Sequence, residues 1–368
     1  MSPSYPHRRS VPPSPELSSP ENLDSPDLQA APRAKLWKSR LKRLVQVIVV
    51  GLVVWGIWHN IDKAIDQVQQ QNFSFQKLRW PWIFAAGGLY LLGSLPMSLF
   101  WIRLMRAMQQ KPTTWSAIRA FFIGHLGKYV PGKALVVVLR TSLVQGKELK
   151  RSVVATAVFA ETLTMVSVGA VYAAVLISIW FSDRLLLLWL AIGIAVAASG
   201  VTLPPVFRKI VLMLKVSKIN PEMEQNLAGL SFPVMAWGWA ANLVGWTLLG
   251  SSLYAVMASI PDADPHLASF AQMFPLLAAT VCLAMVAGFV TPIPGGMGVR
   301  EFVIMEMMAP VFGPVVAVVS AVLLRVAWLF AELALAIILY GIPASAATAE
   351  NASAEIPPAE EDPAQNPA

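Results

Sequence analysis

Proline and glycine interrupt the apolar sequence of this chain twice, and charged residues stand beside each interruption. The first interruption is Pro131-Gly132, inside the apolar stretch 116–145. The second gathers several prolines and glycines at the end of the stretch 268–292: Pro292, Pro294, Gly295, Gly296 and Gly298. Backbone that leaves a helix has N–H and C=O groups that hydrocarbon cannot solvate, so at membrane depth it must be buried in protein or line a wet cavity. The fold therefore has to shelter two broken segments.

The composition is that of a membrane protein. Of the 368 residues, 56% are hydrophobic and 13% are charged, whereas ordinary soluble domains carry about 25% charged residues. The apolar stretches are 44–59, 82–103, 116–145, 152–181, 184–204, 232–258, 268–292 and 314–341. We predict an all-α polytopic membrane protein, a helical bundle of about six spanning helices plus two broken re-entrant hairpins, at 116–145 and 268–312.

The two ends of the chain differ from this apolar middle. Residues 1–32 are rich in Pro and Ser, and residues 344–368 are rich in Ala, Glu and Pro. Neither segment has the large apolar residues that a core requires, so we predict disordered tails around a transmembrane domain at 33–343. We also expect no cleaved leader, because residues 1–32 contain no apolar run. The single cysteine, Cys282, excludes a disulfide within the chain.

Lysine and arginine are distributed unequally between the two sides of the predicted bundle. Sixteen of them lie in residues 33–43, directly before the first stretch, or at the loops on the same side, whereas the alternate loops hold four. Because cytoplasmic loops carry an excess of Lys and Arg, we predict a cytoplasmic N-terminus and a first hairpin that starts and ends on that side. If the second half mirrors the first, its hairpin opens outward and the C-terminus is cytoplasmic. The stretch 206–215 is either a basic amphipathic segment on anionic headgroups or a plain loop.

Few charged residues fall within the apolar stretches, and their order indicates an inverted repeat. They include Lys128, Lys133, Arg140 and Glu161 in the first half, and Arg300, Glu301, Glu306, Arg325 and Glu332 in the second. In each half a charge follows the break closely and an opposite charge lies on the next predicted helix. We therefore predict two ion pairs, one between Arg140 and Glu161 and one between Glu301 and Arg325.

The same charges allow a structural and a functional interpretation. Buried ion pairs often only fix helix register, whereas surplus positive charge at a helix break suits an anionic group such as phosphate, which arginine can bind bidentately. We expect Glu332, two helical turns after Arg325, and His125 to be structural, although His125 could relay protons. The predicted substrate path comprises Lys128, Lys133, Arg140, Glu161, Arg300, Glu301 and Arg325.

The sequence contains no signature of an enzyme. It has no Gly-x-Ser-x-Gly turn, no His-Glu-x-x-His pair, no phosphate-binding Walker loop and no dinucleotide fingerprint. The four histidines are scattered along the chain and form no ligand cluster. We therefore expect no catalytic residue, no metal, no cofactor and no nucleic-acid partner. Without a site for ATP, any transport is expected to be passive or ion-coupled.

The residues around both breaks resemble a known family. Residues 126–133 with Arg140, and residues 292–301 with Arg325, are similar to the membrane domain of the lysylphosphatidylglycerol synthase (flippase-like) family. The resemblance implies a multi-pass protein of the bacterial inner membrane that handles lipids. In bifunctional members this domain is held to move aminoacylated phosphatidylglycerol between leaflets, and a separate domain makes that lipid. The segment after Ile342 is too short for such a domain, so we do not expect the synthase activity.

Three functions are compatible with these observations. The first is a translocase for a lipid or a lipid-linked headgroup, whose partner is a membrane lipid with an anionic or phosphate-bearing headgroup. The second is a scaffold or accessory subunit for a separate membrane enzyme, a lipid or glycosyl transferase, and it would use the tails as tethers. The third, an intramembrane lipid-modifying enzyme, is disfavoured because no nucleophile–base pair is evident.

Overall fold

A computed structural model describes residues 75–129, 134–180, 185–213, 220–261, 263, 269–291, 296 and 298–342. The span predicted at 44–59 and both predicted tails lie outside these residues, so these expectations stay predictions. A short 3₁₀ turn, Phe75–Lys77, precedes the helices of the bundle.

Eleven α-helices are found in the described part of the chain. They are α1 Trp80–Ala107, α2 Thr114–His125, α3 Ala134–Leu143, α4 Arg151–Trp180, α5 Leu185–Thr202, α6 Pro204–Met213, α7 Met223–Ala228, α8 Phe232–Ser259, α9 Phe270–Val290, α10 Val299–Phe312 and α11 Pro314–Gly341. A 3₁₀ turn, Leu126–Tyr129, continues α2. Two short strands pair antiparallel with each other: β1 Lys111–Pro112, which precedes α2 in the chain, and β2 Gly146–Lys147, which follows α3.

The predicted all-α polytopic bundle is confirmed. Within the described residues, α1, α4, α8, α9 and α11 are long and apolar enough to span a membrane. A sixth candidate combines the end of α5 with α6, which bend by 71° at Leu203. Pro204 and Pro205 explain the bend, because proline lacks the N–H that would continue the helix and its ring clashes with the preceding turn. Residues 206–213, from the stretch for which the sequence leaves an amphipathic segment or a plain loop open, are thus helical and leave the direction of α5.

Contacts between helix ends show which ends share a face of the bundle. On one face, the strands join the start of α2 to the end of α3, and Arg119 of α2 donates to the carbonyl of Leu339 near the end of α11 (2.8 Å). On the other face, the Arg79 N–H before α1 donates to the carbonyl of Ser259 at the end of α8 (3.0 Å). We call the face that carries β1, β2 and Leu339 the basic face, because the lysine- and arginine-rich loops are there.

Both predicted hairpins have helical arms in the structure. The first hairpin consists of α2, the 3₁₀ turn and α3, and both of its ends lie at the basic face, where the strands close it. The second hairpin consists of α9 and α10. It starts beside the end of α8, where the rings of Tyr254 and Phe270 pack edge to face with their centroids 5.0 Å apart. It ends at Gly313, directly before the start of α11. The two hairpins therefore open to opposite faces, as an inverted repeat requires.

Candidate functional site

Two glycines let the arms of the first hairpin pack closely. A Cβ atom on Gly127 would lie 2.7 Å from the backbone nitrogen of Val136, and one on Gly124 would lie 2.6 Å from Cγ of Arg140. Any larger residue would push α3 away from α2. This close packing places the Arg140 side chain between the arms and directs its guanidinium towards α4.

The guanidinium of Arg140 is held by one carboxylate and several aromatic rings. Its Nη1 donates to Oε2 of Glu161 on α4 at 2.8 Å, and the two side chains are 3% and 2% exposed. The group lies 4.0 Å from the ring centroid of Phe121 and 5.5 Å from that of Trp101. Its Nη2 lies 3.3 Å from Nδ1 of His125. The predicted ion pair of the first half is confirmed.

The predicted pair of the second half is also present and has an additional role. One oxygen of Glu301 pairs with the guanidinium of Arg325 on α11. The other oxygen accepts a hydrogen bond from the N–H of Gly298 at 2.7 Å, which caps the start of α10. Gly298 has φ +80°, a conformation that glycine adopts without strain. Glu301 therefore fixes both the start of α10 and its attachment to α11.

The neighbouring Arg300 has a different environment. Its side chain lies in a niche between two glycines: a Cβ atom on Gly288 would be 2.6 Å from Nε of Arg300, and one on Gly296 would be 2.9 Å from it. The buried Nε has no hydrogen-bond partner. In the described part of the chain, the guanidinium of Arg300 forms no ion pair. Arg300 is thus a half-buried cation whose Nε donor is unpaired.

Glu332 on α11 receives three donors. Lys128 pairs with one of its oxygens, Tyr90 of α1 donates to the same oxygen, and Tyr129 donates to the other at 2.9 Å. Tyr90 also stacks on Trp328, with ring centroids 4.5 Å apart. The carboxylate of Glu332 thus attaches the 3₁₀ turn of the first hairpin to α11. A structural role is what we expect for Glu332, but no pattern in the sequence indicates its partners.

A cavity of about 40 Å³ lies where the two hairpins meet α11. Polar side chains reach it from the first hairpin, the second hairpin and α11: Lys128, Tyr129, Arg300, Glu301 and Arg325. The rest of its wall is apolar and includes Met285, Leu324 and Trp328. At 10–15 Å³ for each water, the cavity has room for about three water molecules.

The family follows from comparison with known proteins. A family model described as the lysylphosphatidylglycerol synthase TM region matches residues 43–336. The chain belongs to this family. No curated protein matches the chain. The matched region of this lysylphosphatidylglycerol synthase TM family member includes both hairpins, α1, α4, α8 and α9, and α11 up to residue 336. This agrees with the resemblance seen in the sequence.

The predicted path residues of this family member separate into two places. Lys128, Arg300, Glu301 and Arg325 meet at the cavity, whereas Arg140 and Glu161 form their pair elsewhere and do not line it. Gly296 and Gly298 of the second break are described and border residues that are not. The other predicted path and break residues lie outside the described part of the chain: Pro131, Gly132, Lys133, Pro292, Pro294 and Gly295. Among the described residues, no group of three or more His, Cys, Asp or Glu side chains could hold a metal ion.

Tyr90 and Tyr129 are the polar residues of this site that the sequence analysis missed. A signal for Tyr129 was present, because it lies beside Lys128 in the broken segment, where a polar group needs a partner. Tyr90 lies in the middle of an apolar span, and only its contact across the bundle reveals its role. Both hydroxyl groups are buried against Glu332.

Proposed function

We propose that this member of the lysylphosphatidylglycerol synthase TM family translocates a lipid with a phosphate-bearing headgroup between leaflets. The headgroup passes through the cavity between the hairpins while the acyl chains stay in the bilayer. The observation that carries this proposal is the convergence of three cations from three separate elements on one cavity, with Arg300 left without an acidic partner among the described residues.

The charge balance of the cavity favours an anionic ligand. Glu332 neutralises Lys128, and Glu301 neutralises Arg325. Arg300 remains as a surplus positive charge in the bundle, where an uncompensated charge is costly. A phosphate group would supply the missing charge and accept two parallel hydrogen bonds from the guanidinium. The N-terminus of α10, which starts at Val299, adds the favourable end of a helix dipole beside it.

The size of the cavity sets a requirement for transport. A space for about three water molecules does not admit a phospholipid headgroup, so the hairpins must move apart during translocation. The contacts that such a movement breaks are the pair between Lys128 and Glu332 and the pair between Glu301 and Arg325. Both join a hairpin to α11, and they therefore oppose opening until a headgroup replaces them.

Substitution of Arg300 tests the proposal. In proteoliposomes with headgroup-labelled phosphatidylglycerol, the wild-type chain should expose inner-leaflet label to an external quencher, and Arg300→Gln should slow this at least about tenfold, the effect of losing 1.4 kcal/mol. Arg300 has no ion pair among the described residues, so its loss strands no acid and the variant should fold.

Two further variants make this experiment decisive. Arg300→Lys keeps the charge without the planar fork and should retain part of the rate, and the exposed Lys147→Gln should match wild type. The proposal fails if the wild-type chain moves none of the labelled anionic or neutral lipids. If movement persists unchanged in Arg300→Gln, the path does not run through this cavity.

We further propose that the protein lies in the inner membrane of a bacterial cell, with its basic face and N-terminus in the cytoplasm. The support is the loop charge distribution. In a Cys282→Ala chain, a cysteine at exposed Lys147 should react with an impermeant maleimide only after the cells are opened. A cysteine at exposed Lys77, on the opposite face, should react in spheroplasts. The reverse pattern would overturn the orientation.

A further inference from the structure

A second concave surface lies at the basic face, apart from the central cavity. It is a groove between the end of α1 and the start of α8, with a volume of about 450 Å³, and it shares no residue with the cavity. Its lining combines cationic, polar and apolar side chains, which include Leu99, Arg103, Arg106, Thr114, Val234 and Trp237.

The two arginines of the groove retain free donors. They lie one helical turn apart on α1, and both are exposed. The guanidinium of Arg103 lies 5.4 Å from the ring centroid of Trp237, and Nη2 of Arg106 donates to Thr114 Oγ1 at 2.7 Å. In the described part of the chain, neither arginine has an acidic partner. Because a guanidinium has five N–H donors, both side chains can bind a further anionic oxygen.

The groove is polar at the end of α1 and becomes apolar towards the middle of this helix. Leu99 lies two turns before Arg106, about 10 Å deeper at 1.5 Å per residue, and its side chain is 38% exposed. Trp237 is 36% exposed and lies near the start of α8, at the level where tryptophan marks the membrane interface. A molecule that fills the groove therefore needs an anionic end at the basic face and an apolar end towards the bilayer.

We propose that this groove binds an anionic glycerophospholipid. Its phosphate lies between Arg103 and Arg106, and an acyl chain runs along Leu99, Val234 and Trp237. The apolar wall favours a lipid over a soluble anion, which would leave that wall uncovered. The two cations favour an anionic over a zwitterionic headgroup, whose own ammonium group would cancel the attraction. This binding does not depend on the proposed translocation.

Quenching of Trp237 by brominated lipids tests the proposal. The protein is reconstituted into phosphatidylcholine vesicles in which a fixed fraction of lipid is brominated phosphatidylglycerol or brominated phosphatidylcholine. The quenching of Trp237 is obtained as the difference in quenched tryptophan fluorescence between each chain and the same chain with Trp237→Phe. We expect about thirtyfold preference for phosphatidylglycerol at Trp237, because each of the two cations contributes about 1 kcal/mol to the attraction of an anionic lipid.

Variants distinguish a built site from general surface charge. Arg103→Gln/Arg106→Gln should lose the preference, and Arg103→Lys/Arg106→Lys should retain part of it. The matched control is Lys147→Gln/Arg151→Gln, which removes two exposed cations from the same face and should leave the preference intact. The proposal is overturned if wild type shows no preference, if the groove variant keeps it, or if the control loses it equally. Because this experiment measures lipid binding at the groove, a negative result in the translocation assay would not contradict the proposed lipid site.

Discussion

The double variant Arg140→Gln/Glu161→Gln is expected to be more stable than the single variant Glu161→Gln. Both side chains are almost completely buried and pair with each other at 2.8 Å. Removal of Glu161 alone leaves the charge of Arg140 buried without an acid, which costs about 3–5 kcal/mol. Replacement of both groups removes that charge as well and should recover most of the loss. The free energy of unfolding in detergent micelles is measured for wild type, Arg140→Gln, Glu161→Gln and the double variant. Together these values give the coupling energy between the two side chains.

The surroundings of the pair explain why no other group compensates. Arg140 otherwise contacts aromatic rings and His125, and its Nε has no hydrogen-bond partner. In the described part of the chain, Glu161 has no second cation. The exposed pair Lys150–Glu222 serves as a control, because exposed pairs contribute at most about 1 kcal/mol. Additive effects of the two buried substitutions would contradict this account.

Much of the helical framework could be predicted from the sequence. Stretches such as 152–181 and 314–341 coincide with α4 and α11 within about two residues. The reason is physical, because a long apolar segment in hydrocarbon must satisfy its backbone hydrogen bonds internally. The pairs Arg140–Glu161 and Glu301–Arg325 could be predicted for a similar reason: a charge at that depth needs an opposite charge, and few were available.

The contacts that join distant elements could not be predicted. Tyr90 and Glu332 are 242 positions apart, and no local pattern relates an apolar α1 to the face of α11 that it contacts. Glu332 followed Arg325 by about two turns, so the spacing suggested a relation within α11. The structure instead turns Glu332 towards the first hairpin. The same limit applies to the groove, which exists only because α1 packs against α8 and brings Trp237 under Arg103.

These contacts give α11 a common role for both hairpins. Arg325 and Glu332 lie about two turns apart on one side of this helix, and their charges are opposite. Arg325 binds Glu301 of the second hairpin, and Glu332 binds Lys128 of the first. Each hairpin is thus attached to α11 by its own ion pair. Because the attachments are separate, either one can be weakened while the other remains intact.

Glu332→Gln is expected to loosen the first hairpin without loosening the second. Tyr90 and Tyr129 donate to different oxygens of Glu332. Glutamine keeps one oxygen, which can accept from one of these tyrosines, and its NH2 group can donate to the hydroxyl oxygen of the other. Lys128 loses its counter-charge. Since Lys128 is partly exposed (18%), we take the local cost as about 2–3 kcal/mol, below the full value for a buried pair. Amide hydrogen exchange in nanodiscs, read by mass spectrometry, should then become about 30- to 160-fold faster in residues 121–129.

Glu301→Gln provides the reciprocal experiment. It removes the charge that holds Arg325 while an amide oxygen still faces the N–H of Gly298, so exchange should accelerate in 299–312 and not in 121–129. Residues of α8, which contact neither ion pair, should exchange as in wild type in both variants and thus report on global stability. If both variants accelerate both hairpins equally, the two attachments act as one unit. If α8 accelerates as well, the ion pairs maintain the whole fold rather than the position of each hairpin.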